Sequence, residues 1–134
     1  MRITLICNCG LAFTSEGQTL LVDALTQELA PFYRAPECTR QEIQAGTGAF
    51  RSVCGLLFTH LHPDHFDRTA AEEFSIWHKT AAIYIPSRRG SPPKTFSAGR
   101  FTVELHRVRH TQVAGYGAST VDVMIVSCEG KHVY

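Results

Sequence analysis

No run of about 18 apolar residues occurs in the 134-residue chain, so no segment is expected to span a bilayer. Charge of one sign is also missing. Thirteen Lys and Arg face twelve Asp and Glu, a formal net charge of +1. That balance removes the usual argument for nucleic acid or an anionic membrane as a partner. The amino end has one Arg and an apolar stretch that stops by Cys7, without the apolar core and small-residue cleavage site of a signal peptide. A reduced, cytoplasmic setting is the default expectation. Repeats and low-complexity segments are absent.

A disulfide framework is absent too. Five cysteines, Cys7, Cys9, Cys38, Cys54 and Cys128, are odd in number and irregular in spacing. Cys7-Asn8-Cys9 has the look of a metal hook, but no CxxC partner stands elsewhere. In an extended segment the two side chains would share a face, and burial accounts for them.

What is present suits one domain, residues 1–134. A chain of this length buries roughly two-thirds of its unfolded surface. Arg2 to Cys7 and Leu11 to Thr14 read as strands, and Glu16-Gly17-Gln18 as the turn of a hairpin completed by Thr19 to Asp23. Pro31, Pro36, Gly46 and Gly48 break the next stretch, leaving room for a short helix between Arg40 and Ala45. Cys54 to Phe58 is an unalternating apolar run, the pattern of a strand covered on both faces. Ala71, Phe74 and Trp77 then recur at helical spacing, which predicts a helix from Arg68 to Lys79 with Asp67 as its N-cap.

Ala82 to Ile85 predicts a strand, and Ser87 to Pro93 a solvated loop that carries Arg88 and Arg89. Phe101 to Val108 alternates as a strand covered on one face, Val121 to Val126 follows, and Glu129-Gly130 turns the chain into Lys131 to Tyr134. The sum is a layered mixture of helix and sheet, an α/β (α+β layered) class.

The chemistry concentrates in Thr59-His60-Leu61-His62-Pro63-Asp64-His65. Alternation along an extended backbone would start His60, His62 and Asp64 on one face. Pro63 holds His62 extended, and the turn towards the Asp67 cap swings His65 aside. Four donors in six residues, delivered from the end of a buried strand, suit a divalent metal: zinc, manganese or iron. Three histidines and an aspartate brought out of water also need a reason to be there.

His60-x-His62-x-Asp64-His65 after an apolar strand resembles the signature of the metallo-β-lactamase superfamily. Asn8 to Gly10 and Leu20 to Asp23 resemble the corresponding elements of its branch with ascorbate-phosphate-lactonase-like enzymes. The resemblance implies that His60 and His62 bind a first metal, Asp64 and His65 a second, with zinc expected at both. It implies that His110 completes the first set, with His106 as competitor, and that Asp64 also orients or deprotonates the attacking water. Asp23 either lies beneath the site or caps a helix. His78 and His132 fit no position of the family and are read as surface residues.

The family's αββα sandwich is built from two αβ halves, and the chain resembles the N-terminal one, without the Gly-Asp pair and last histidine that follow. The reaction implied is hydrolysis of an ester, lactone, amide or phosphodiester bond of a small-molecule substrate by a metal-bound hydroxide, two metals about 3.5–4 Å apart sharing it. A non-catalytic metal-binding fragment, or an interaction module that associates with itself, is the alternative.

Overall fold

A computed structural model describes residues 1–87, 92, 94–110 and 120–134. Arg88, Arg89 and the segment from Thr111 through Gly115-Tyr116-Gly117 lie outside the described residues. The expected hairpin forms from β2 (Leu11–Ser15) and β3 (Gln18–Val22), and β1 (Arg2–Leu5) pairs antiparallel with β2. Ser15 opposes Gln18, leaving a two-residue turn in which Glu16 and Gly17 both have positive φ, 42° and 79°. That is the turn whose twist matches the flanking strands, and glycine adopts it without strain.

After β3 the chain crosses over through α1 (Glu37–Ala45) and a 3-10 turn at Gly48–Phe50 to β4 (Val53–Leu57), which lies parallel to β3. A second crossover through α2 (Arg68–Trp77) brings β5 (Ala82–Tyr84) parallel to β4. The first sheet has the order β1-β2-β3-β4-β5. Asp67 caps α2 as expected, its side chain accepting from Ala70 N at 3.1 Å. The helix ends at Trp77, and α1 begins three residues before the expected stretch.

β6 (Thr95–Ala98), β7 (Phe101–Arg109), β8 (Thr120–Cys128) and β9 (Lys131–Val133) form a second, antiparallel sheet in that order. Two cores result. Leu21, Leu25, Leu56, Phe58, Ile43 and Phe74 fill the space between the first sheet and the helices. Leu20, Leu57, Phe101, Val103 and Val126 are among those closing the two sheets on each other. Burying one such side chain fully contributes about 1.5–3 kcal/mol. The layers therefore run helix, sheet, sheet, and the second sheet is present in addition to the αβ unit.

His78 is not the surface residue expected. Its ring stacks on Phe74 with centroids 4.0 Å apart, and Nε2 lies 2.9 Å from Ile43 O and 3.1 Å from Gln44 O. It thus satisfies carbonyls at the end of α1 that the helix itself leaves without donors. His132 is exposed on β9.

Candidate metal centre

The site grows from the carboxyl ends of β3 and β4, where open α/β sheets place their ligands. Phe58, fully buried, continues β4 through a bond from its N to Tyr84 O. The backbone then turns: His65 N and Phe66 N both donate to His62 O, at 2.9 and 2.8 Å. Gln27 N to Pro63 O and Asp67 N to Leu25 O, at 2.8 and 3.0 Å, sew this turn to the chain after β3. The second sheet is tied in as well, through Asp122 N to Thr59 O at 2.9 Å.

His60 and His62 are buried, 4% and 6% exposed, and His110 closes on them from the end of β7. One ring nitrogen of each lies within 4.8 Å of the other two. His60 Nε2 and His62 Nδ1 face each other at 3.1 Å. Ligands of a tetrahedral zinc at 2.0–2.1 Å would stand about 3.3–3.4 Å apart, so this edge needs little adjustment. Burial pushes the His60 imidazole down to about 3, and His65, His62 and His110 add to the effect. His62 is lowered chiefly by burial, then by His110. Neutral imidazole is the form that ligates, so the donor set fits a divalent metal. His106, the competitor for His110, is exposed on β7 and lies 2.6 Å from Glu104 Oε1 instead.

His65 sits between two carboxylates. Its Nδ1 is 2.8 Å from Asp23 Oδ2, and its Nε2 is 3.5 Å from Asp64 Oδ2. Asp64 lines the same pocket of about 220 Å3 as the three histidines, together with Leu29, Phe32, Pro63 and His65. Its carboxylate belongs to neither tight donor group among the described residues. Asp23 is 2% exposed and accepts from Thr59 N at 2.8 Å and from Thr59 Oγ1 at 2.7 Å. Of the two readings of Asp23, the position beneath the site is the one observed, since its carboxylate holds Thr59 and His65 and caps none of the helices among the described residues.

The segment Cys7 to Cys9 departs from expectation. β1 stops at Leu5, and residues 7–9 bend instead of extending. Cys7 is buried, whereas Cys9 is half-buried and reaches the site, its Sγ donating to Asp64 O at 3.0 Å. Burial pushes the Cys9 thiol up to about 12, with Asp23, Cys7 and Asp64 reinforcing it. Sequence spacing could not reveal this placement, because Asp23 and Asp64, which it meets there, lie 14 and 55 residues away.

Gly10 makes the bend possible. A Cβ there would stand 2.5 Å from Cys7 Sγ and 2.7 Å from Asp23 O. Gly10→Ala is therefore expected to cost about 1–3 kcal/mol through forced displacement. Urea denaturation of the pair would show it, and an unchanged midpoint would refute the close packing.

No protein-family profile matches the chain, and no curated protein matches it in sequence. Solved structures do match in shape. One from Veillonella parvula DSM 2008, named a possible metal-dependent hydrolase, superposes with a TM-score of 0.56 at 15% identity, over 95% of this chain and 58% of its own. Another, from Parabacteroides distasonis ATCC 8503 and similarly designated, gives 0.56 at 17% identity, over 98% and 58%. The short form of human tRNase Z gives 0.49 at 15% identity, over 92% and 59%. The chain thus spans under two-thirds of the length of these structures. It has a mixed helix-and-sheet fold of the metallo-β-lactamase type, covering part of that fold.

Proposed function

We propose that the chain carries the metal-binding part of a metal-dependent hydrolase acting on an ester, lactone, amide or phosphodiester bond. The observation that carries this is the convergence of His60, His62 and His110 on one small pocket at the end of β4. These three would hold a zinc ion, with manganese or iron as substitutes. The metal would supply an activated water at neutral pH and polarise the oxygen of the bond to be cleaved.

Everything else falls to the chain. Asp64, which lines the pocket, orients the water and accepts its proton. With His65 it also offers a pair of donors to a second metal. Thr59 and Asp23 position His65 by hydrogen bonds. Leu29 and Phe32 line the same pocket and their apolar side chains limit water there. The substrate is a small molecule. No helix among the described residues is long and apolar enough to cross a membrane, and a cytoplasmic setting belongs to the same proposal.

The test is elemental analysis of the chain purified without chelators, followed by assays of metal-loaded protein on chromogenic esters, lactones and phosphodiesters. Asp64→Asn is expected to retain the first metal and lose a factor of about 10²–10⁴ in rate. Metal-loaded protein that turns over none of these bonds would sink the catalytic reading.

That outcome would favour a second reading, a metal-binding interaction fragment that associates with itself. It has one observation behind it. β1 is an edge strand exposed along its whole length, with Leu5 68% exposed. Mass that rises with concentration would support it.

A further inference from the structure

Beside the three histidines lies another set of donors, drawn from three separate parts of the chain. Cys9 Sγ comes from the bend after β1, the Asp23 carboxylate from the end of β3, and the His65 imidazole from the turn after β4. One ligand atom of each lies within 4.8 Å of the other two. The surroundings hold them in place. Ile6 N donates to Gly10 O at 2.7 Å and Asn8 N to Tyr33 O at 3.2 Å, fixing the bend that carries Cys9. Thr59 donates to both oxygens of Asp23, so its carboxylate is already oriented.

We propose that Cys9, Asp23 and His65 form a metal site of their own, a thiolate, carboxylate and imidazole set for a thiophilic divalent ion such as Zn2+, Co2+ or Cd2+. The inference goes beyond the hydrolase reading and stands whether or not the chain cleaves any bond. It also redefines the second metal position. Asp64 and His65 alone supply two protein donors, whereas the set around Cys9 supplies three, the usual protein contribution to an open zinc site. A soft sulfur ligand turns the preference away from magnesium, calcium and manganese and towards zinc, cobalt and cadmium.

The exchange on binding is simple. The Cys9 S–H bond breaks and its proton leaves to solvent, while a sulfur lone pair makes the bond to the metal. The contact between His65 Nδ1 and Asp23 Oδ2 opens to admit the ion: the Nδ1 proton that bridged them leaves to solvent, Nε2 takes one up, and the imidazole ligates through Nδ1 as its other neutral tautomer. Nothing is oxidised or reduced. The competing role for Cys9 is structural, its S–H tethering the motif through Asp64 O.

Cobalt(II) titration of the 134-residue chain separates these roles. The expected result is a sulfur-to-cobalt charge-transfer band in the near ultraviolet that is lost in Cys9→Ser. Visible d–d absorption from the three-histidine site should remain in the variant. The proposal is overturned if the band survives Cys9→Ser, or if wild-type protein shows d–d absorption without it. Absence of both absorptions would remove the three-histidine site as well, so the two failures are distinguishable. X-ray absorption of the zinc-loaded wild-type chain needs no variant. It should find a sulfur neighbour at about 2.3 Å beside nitrogen and oxygen at about 2.0–2.1 Å. A first shell of nitrogen and oxygen alone at two equivalents of zinc overturns the assignment.

Discussion

His60→Ala is expected to abolish tight metal binding at the three-histidine site. The imidazole is buried, with Nδ1 3.0 Å from Thr59 Oγ1 and Nε2 facing His62 across 3.1 Å. Removing it leaves His62 and His110, too few protein ligands for a stable zinc site. Losing a mere supporting partner of a metal ligand lowers affinity about 10–100-fold, so loss of the ligand itself should exceed that range. Chelator competition followed by elemental analysis reads the effect. His132→Ala, on the exposed end of β9, is the matched control and should keep its metal. A His60→Ala protein with a full complement at this site would show that the assigned ligands are wrong.

Arg107→Ala should be strongly destabilising at the junction of the two sheets. Arg107 on β7 holds Asp122 on β8 bidentately, Nε to Oδ1 at 2.7 Å and Nη2 to Oδ2 at 2.8 Å. Tyr84 Oη, from the first sheet, donates to Oδ2 at 2.6 Å. The Asp122 side chain is 1% exposed. Cutting such a pair strands a buried charge, a loss of about 3–5 kcal/mol.

The pH dependence distinguishes this from lost packing. Burial alone would raise the Asp122 carboxyl, but Arg107 and Tyr84 overcome it and hold the group below its ordinary 3.8. A carboxyl depressed in the folded state contributes stability that is complete above its unfolded value and lost as pH falls through the folded one. In Arg107→Ala the sign is expected to reverse, since burial, the largest single influence, is then opposed by the Tyr84 hydrogen bond alone. The stability gap between wild type and variant should therefore be widest near neutrality and narrow on acidification. A gap that does not change with pH, measured by urea denaturation at several pH values, would point to packing instead.

Much of the frame was legible because it rests on local signals. Asp67 ahead of the apolar spacing at Ala71 and Phe74 marks α2, and Glu16-Gly17 marks the hairpin turn. β7 alternates so regularly that its buried face can be read from Phe101, Val103 and Leu105. β6 was not legible, because Thr95–Ala98 is an edge strand with a single buried residue and little apolar pattern. The first turn of α1 escaped for a similar reason, being polar and preceded by Pro36.

At the site, the compact spacing of His60 to His65 announces metal chemistry. The turn that sends His65 towards Asp23 depends on hydrogen bonds to residues about 40 positions earlier. Cys9 is the clearest case. Its bend is set by Gly10 packing against Asp23 O, a tertiary contact that no local pattern encodes.

The bond from Asp122 N to Thr59 O joins the second sheet to the strand end that bears the histidines. His110 also arrives from that second sheet, 50 residues after His60 by their numbers. The pocket therefore exists only when the two sheets have docked, and an ion bound in it acts as a rivet across their junction. By mass action, free metal at a hundredfold over its dissociation constant would add about 2.7 kcal/mol to the folded state. Resistance to heat and to proteolysis should then rise with metal concentration, with the closing of the sheets as the event that metal drives.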